Sequence, residues 1–220
     1  MNIETIKSVY FVGAGGIGMS ALARYFLHEG RKVAGYDRTR SALTEALAAE
    51  GAAIHYTDDT AAIPALFRER EGTVVVYTPA VPDDHSELSW FRDHGFTVEK
   101  RSQMLGHLSA GKYVMAVAGT HGKTTTTSML THIFMQAQRD PTVMMGGYLP
   151  LLHAGHRVGS GDTIIMESCE YCDSFLNFYP TVAIVNNIEA DHLDYFKDLD
   201  AVKRSFRKFA GLVPRTGHVI

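Results

Sequence analysis

The run Gly119-Thr120-His121-Gly122-Lys123-Thr124-Thr125 gathers glycines, a lysine and hydroxyls into one short stretch. Glycines permit a tight turn whose successive N–H groups can face phosphate oxygens. A helix opening directly after it would add unsatisfied donors and partial positive charge. Lys123 can then reach the outer phosphates of a nucleoside triphosphate, and the Thr124 hydroxyl can hold Mg²⁺. The usual phosphate loop has four residues between its glycines, whereas only Thr120 and His121 intervene here. A second run, Gly13-Ala14-Gly15-Gly16-Ile17-Gly18, fits the pattern G-x-G-x-x-G, with Asp37 placed where an acid meets a ribose hydroxyl. Any pyrophosphate suits such a turn, so NAD, FAD and a UDP-sugar all stay open.

Acids follow two apolar runs. Thr163 to Met166 leads into Glu167-Ser168-Cys169-Glu170, and Val182 to Val185 into Asn186-Asn187-Ile188-Glu189-Ala190-Asp191-His192-Leu193-Asp194. The carboxyl ends of parallel strands share one edge, where ligands sit. Glu167, His192 and the phosphate loop can therefore converge on one or two metal ions. Mg²⁺ suits carboxylate and phosphate oxygens, and a histidine ligand would admit Mn²⁺ as well. Cys169-Glu170-Tyr171-Cys172 is a C-x-x-C; a zinc site would need two more ligands and a redox pair a helix N-terminus at the first cysteine, while 2 cysteines in the chain exclude a disulfide scaffold. Of the 11 histidines, the isolated His28, His55, His94 and His132 read as surface or packing residues.

Positioning these groups requires strands that feed helices. Val9 to Val12, Lys32 to Tyr36, Thr73 to Tyr77, Tyr113 to Ala118, Thr163 to Met166 and Val182 to Val185 read as buried strands. Met19 to Glu29, Ala42 to Glu50 and Thr124 to Gln136 carry apolar residues at helical steps. The alternation predicts parallel α/β sheets covered on both faces. Each glycine turn opens its own unit, which puts a boundary near residue 107. The last residues, Gly217-His218-Val219-Ile220, read as the entry to a strand, and a truncated protein is expected.

Bulk properties narrow the class. The chain has 220 residues, 45% hydrophobic and 20% charged, which excludes disorder. A formal charge of −3 advertises neither nucleic acid nor an anionic membrane. The apolar runs fall short of the ~20 residues a bilayer span needs. Met1-Asn2-Ile3-Glu4 has no signal-peptide core, so a cytoplasmic location is expected.

Taken together, these motifs resemble the Mur ligase family of ATP-dependent amide-bond-forming enzymes. The resemblance rests on Gly13 to Ser20, Gly119 to Thr126, Glu167 to Asp173 and Asn187 to Asp194, in the family's order along nearly the whole chain. It implies a Rossmann-like UDP-sugar domain over 1–106 and a P-loop ATPase domain, incomplete, over 107–220. It also implies that the family's third, amino-acid-binding domain would lie outside this sequence. It further implies that Gly119, Thr120, His121, Gly122, Lys123, Thr124 and Thr125 bind ATP. Thr124 and Glu167 would hold one Mg²⁺, Glu167 and His192 a second, and Lys123, Glu167 and His192 would form the catalytic group. Gly13, Gly15, Gly16, Ile17 and Gly18 would hold the UDP pyrophosphate, Asp37 would lie near the uridine, and Thr78 and Arg101 would place the sugar. The implied activity is coupling of L-alanine to UDP-N-acetylmuramate through an acyl phosphate, in peptidoglycan precursor synthesis. Attachment of a whole tripeptide to the same UDP-sugar is the alternative within the family. Outside it stand an NAD- or FAD-binding oxidoreductase, argued from the first loop alone, and a nonenzymatic nucleotide switch. Some members use a modified lysine, but Lys203 and Lys208 do not fall on that pattern.

Overall fold

Strand β1, Ser8–Val12, is buried along its whole length, as its apolar run from Val9 to Val12 demands when both sheet faces are covered, and the buried Ser8 hydroxyl pairs with that of Thr73 at 2.8 Å. A computed structural model gives the structure of residues 1–152 and 154–220. The chain divides into two units, Met1–Met104 and Leu105–Ile220.

In the first unit β1 is followed by α1 (Ile17–His28), β2 (Lys32–Tyr36), α2 (Ala42–Ala49) and β3 (Ala53–His55). After these come β4 (Thr73–Tyr77), α3 (Ser86–Asp93) and β5 (Thr97–Lys100). The sheet order is β3-β2-β1-β4-β5, with every neighbouring pair parallel. This is the parallel sheet that the strand–helix alternation predicts, in the Rossmann-like arrangement that the family resemblance implies. The order reverses between β1 and β4, so their carboxyl ends open a crevice. Reciprocal bonds between Ser41 and Thr44 start α2 as a capping box. Tyr10, Val12, Tyr36, Val75, Leu88 and Phe91 are among the core residues on one side of the sheet.

Helix α4 (Arg101–Ser109) spans the division between units. Gly106 lies inside it, where a Cβ would overlap the Asn177 carbonyl. The second unit continues with β6 (Tyr113–Ala118), α5 (Lys123–Gln136), β7 (Thr142–Leu149), β8 (Ala154–Arg157) and β9 (Thr163–Glu167). It closes with β10 (Val182–Val185), α6 (Leu199–Ala210) and β11 (His218–Val219). Its order is β11-β10-β6-β9-β7-β8, parallel except for the β7–β8 pair. Central β6 thus has β9 on one side and β10 on the other, and the loops after all three meet at one edge.

Helix α6 shows how sequence sets position. Asp198 caps it by accepting from the Ala201 N–H at 2.7 Å. Val202, Ser205, Phe206 and Phe209 are buried, at three- and four-residue steps on one face. Phe209 stacks on Phe175 with centroids 4.5 Å apart, which fixes the segment following β9. Among the described residues no helix is long and apolar enough to cross a membrane.

Candidate functional site

The loop between β6 and α5 brings its predicted residues together at the head of a helix. Gly122 is the N-cap of α5 in a left-handed conformation, φ 79°, which disfavours any side chain. Among the described residues no side chain caps that end, so the first N–H groups of α5 stay available to an anion. The loop is braced from β10. Asn187 Oδ1 accepts from the His121 N–H at 2.8 Å, and the Asn186 and Asn187 amides donate to the His121 carbonyl. Thr120 Oγ1 accepts from the Glu189 N–H at 2.9 Å. His121 itself turns outward, 3.5 Å from Glu189, and Thr125 is exposed.

Two polar pairs cross from this loop to the end of β9. Thr124 Oγ1 donates to Glu167 Oε2 at 3.0 Å, and the same oxygen accepts from the Gly146 N–H at 3.0 Å. Lys123 Nζ lies 3.0 Å from Glu170 Oε2 and also donates to the Gly119 carbonyl at 2.6 Å. A hydroxyl beside a carboxylate at a helix N-terminus supplies the hard oxygen donors that Mg²⁺ selects. Among the described residues no group of three or more His, Cys, Asp or Glu could hold a metal unaided. The pair therefore fits a magnesium ion whose other ligands are phosphate and water, the usual composition of such sites. His192 sits in a left-handed turn, φ 51°, with its ring 4.8 Å from that of Tyr171. Burial raises the Cys169 thiol above its ordinary pKa, which works against thiolate chemistry at the C-x-x-C.

In the first unit a cavity of about 460 Å³ opens at the carboxyl ends of β1, β2 and β4. Gly13, Gly16, Asp37 and Thr78 line it, with Tyr36, Asp58 and His85. Asp37 binds the glycine turn itself: its Oδ2 accepts from the Gly15 N–H at 2.6 Å and its Oδ1 from Thr39 at 2.9 Å. Arg101 lies over Gly18, where any Cβ would overlap the guanidinium. Ile17, the first residue of α1, is half exposed.

The same unit holds a polar cluster that the sequence does not announce. The Tyr10 hydroxyl donates to Glu87 Oε2 at 2.6 Å and lies 2.7 Å from His55 Nε2. Glu87 is fully buried, and burial lifts its carboxyl to about 7. Burial also lowers the pKa of His55 and His85. Asp58 moves the other way from Glu87. Burial pushes its pKa up, but the Ser86 and Glu87 N–H groups bonded to it, together with His85 and the Ser86 hydroxyl, more than offset that and hold it low.

Known proteins carry the same two units. The profile of the Mur ligase family catalytic domain matches residues 8–113, and that of the Mur ligase middle domain matches residues 117–220. The chain belongs to the Mur ligase family. Among its curated relatives, the UDP-N-acetylmuramate–L-alanine ligase of Parabacteroides distasonis is 46% identical over 99% of this chain and 47% of the relative. That of Clostridium novyi is 44% identical over 97% of this chain and 46% of the relative. This Mur ligase chain thus spans about half the length of the curated relatives it matches. Solved structures agree. The UDP-N-acetylmuramate-alanine ligase of Thermotoga maritima superposes with a TM-score of 0.83 at 30% identity, covering 94% of this chain and 47% of that one. The UDP-N-acetylmuramate:L-alanyl-gamma-D-glutamyl-meso-diaminopimelate ligase of Neisseria meningitides gives 0.87 at 27% identity, covering 97% and 70%.

Sequence reading misses several residues of this Mur ligase site. Asn186 and Asn187 follow an apolar strand, so the strand-end rule that singles out Glu167 reaches them too. Glu170 stands inside a quoted motif but carries no spacing signal of its own. His85 and Asp58 line the cavity, and Asp58 is held there by the Ser86 and Glu87 N–H groups at the start of α3, which no local pattern encodes.

Proposed function

We propose that this chain is the nucleotide-binding half of an ATP-dependent ligase that joins L-alanine to UDP-N-acetylmuramate. In this reading residues 1–106 bind the UDP-sugar in the cavity beside Gly13 and Gly16, and residues 107–220 bind ATP. The observation that carries it is the Thr124–Glu167 pair, 3.0 Å apart at the uncapped head of α5. The names of the curated relatives support the choice of substrates. The setting would be the cytoplasm, in peptidoglycan precursor synthesis.

Transfer of the γ-phosphoryl group to a lactyl carboxylate brings two anions together. The N–H groups opening α5 and the Lys123 ammonium oppose that repulsion and the charge that develops on transfer. Bound magnesium would supply further charge neutralisation, held by Thr124 and Glu167, with His192 proposed as a ligand of a second ion. The acyl phosphate is then open to attack by the amine of L-alanine, which displaces phosphate and forms the amide. In the first unit, the turn from Gly15 to Gly18 is proposed to hold the pyrophosphate, with Thr78 and Arg101 placing the sugar.

The test uses the full-length protein that contains this chain, mixed with ATP, Mg²⁺, UDP-N-acetylmuramate and either L-alanine or the L-alanyl-γ-D-glutamyl-meso-diaminopimelate tripeptide. Mass spectrometry should find the alanyl product and stoichiometric ADP. A product with the tripeptide alone would reassign the amine substrate. NAD binding without UDP-sugar binding would overturn the ligase reading altogether.

A further inference from the structure

An ammonium group has three N–H donors. Lys123 spends them on the Gly119 carbonyl at 2.6 Å, the Thr120 carbonyl at 3.3 Å, and the Glu170 carboxylate at 3.0 and 3.3 Å. A phosphate can therefore take this ammonium only by displacing an acceptor it already holds. Of those acceptors Glu170 alone is charged. Its side chain is 2% exposed, and that of Lys123 is 13% exposed. Among the described residues, the hydrogen bonds to the Glu170 carboxylate come from Lys123. Moving Lys123 toward a phosphate would leave a buried carboxylate unpaired, close to an incoming anion, which is strongly unfavourable.

We propose that Glu170 is a positioning residue that acts through Lys123, competing with phosphate for the ammonium and so setting the loop's affinity for nucleotide phosphates. The proposal rests on the nucleotide-binding reading of this loop. Charge-assisted hydrogen bonds in buried surroundings are strong enough for this competition to be measurable. Glutamine at position 170 would keep the shape and an acceptor oxygen but remove the charge. Aspartate would keep the charge and draw it back by one methylene.

Titration calorimetry of the chain with ADP, and separately with inorganic pyrophosphate, both without magnesium, tests this. Glu170→Gln should tighten binding by about tenfold or more, the scale of one charge-assisted bond. Glu170→Asp should fall between the variant and wild type, and it carries the same sign of test should Glu170→Gln melt early. Adding Lys123→Ala should abolish the gain, because the effect runs through that ammonium. A purely structural role predicts unchanged or weaker binding in Glu170→Gln, and that result overturns the proposal. So does a gain that survives Lys123→Ala. Wild-type ADP binding indifferent to Lys123→Ala would instead overturn the nucleotide reading, and this proposal with it.

Discussion

Single side chains carry separable jobs, and their removal should show it. Glu167 accepts from both Thr124 and Gly146, so Glu167→Ala takes away a charged oxygen donor and one tether of the loop. Magnesium-dependent nucleotide binding should fall at least ~10-fold, the scale seen even for groups that only support a metal ligand. Calorimetry with and without magnesium checks this, and His192→Ala tests the proposed second ligand in the same way. Gly15 behaves differently. A Cβ there would stand 2.9 Å from Asp37 Oδ2 and 2.8 Å from Thr44 Cγ2, so Gly15→Val must push Asp37 off the turn. UDP-N-acetylmuramate binding should drop while ATP binding persists. Loss of both together would mean that the turn supports folding rather than a ligand.

Helices α3 and α6 set larger consequences. Glu87 stands in the first turn of α3, fully buried, and its carboxyl rises from 4.5 to about 7. The folded state then holds its proton more tightly than the unfolded chain. The stability this gives is complete below about pH 4.5 and is lost as pH rises through about 7. The full loss is on the order of 3 kcal/mol. Glu87→Gln removes the titration but keeps an acceptor for the Tyr10 hydroxyl. Its melting temperature relative to wild type should therefore climb between pH 5 and pH 8, as scanning calorimetry would record. A flat difference across that range would refute the assignment. On α6, Phe209→Ala deletes a fully buried ring stacked on Phe175. Urea unfolding of the second unit should show a loss of roughly 3–5 kcal/mol.

At the scale of the whole chain, the prediction concerns division of labour. The curated relatives are about twice as long, so amine presentation and water exclusion belong, in the proposed reading, to sequence beyond this chain. The 220-residue chain should bind UDP-N-acetylmuramate yet form no alanyl product when given ATP, magnesium and L-alanine. Turnover near that of a full-length ligase, followed by mass, would show that the two units suffice for catalysis.

The glycine turns, the six apolar strands and the acids at strand ends are legible in one dimension, because each depends on a local backbone requirement or a short periodicity. Strands β3, β5 and β8 are not legible, being short or polar and held in place by neighbours in the sheet, and β7 is interrupted by Gly146 and Gly147. Helix α4 hides in a glycine-containing stretch that reads as a junction, since Gly106 answers to the Asn177 carbonyl rather than to a turn. The sequence by itself determined which residues could bind phosphate and metal, and in what order along the chain. Only the tertiary structure decided that Glu170 holds Lys123, that Asn186 and Asn187 brace His121, and that Glu87 is buried against the Tyr10 hydroxyl. Those contacts join residues 47 to 77 positions apart in the chain, and burial strengthens the Tyr10–Glu87 and Lys123–Glu170 bonds; no local spacing records either.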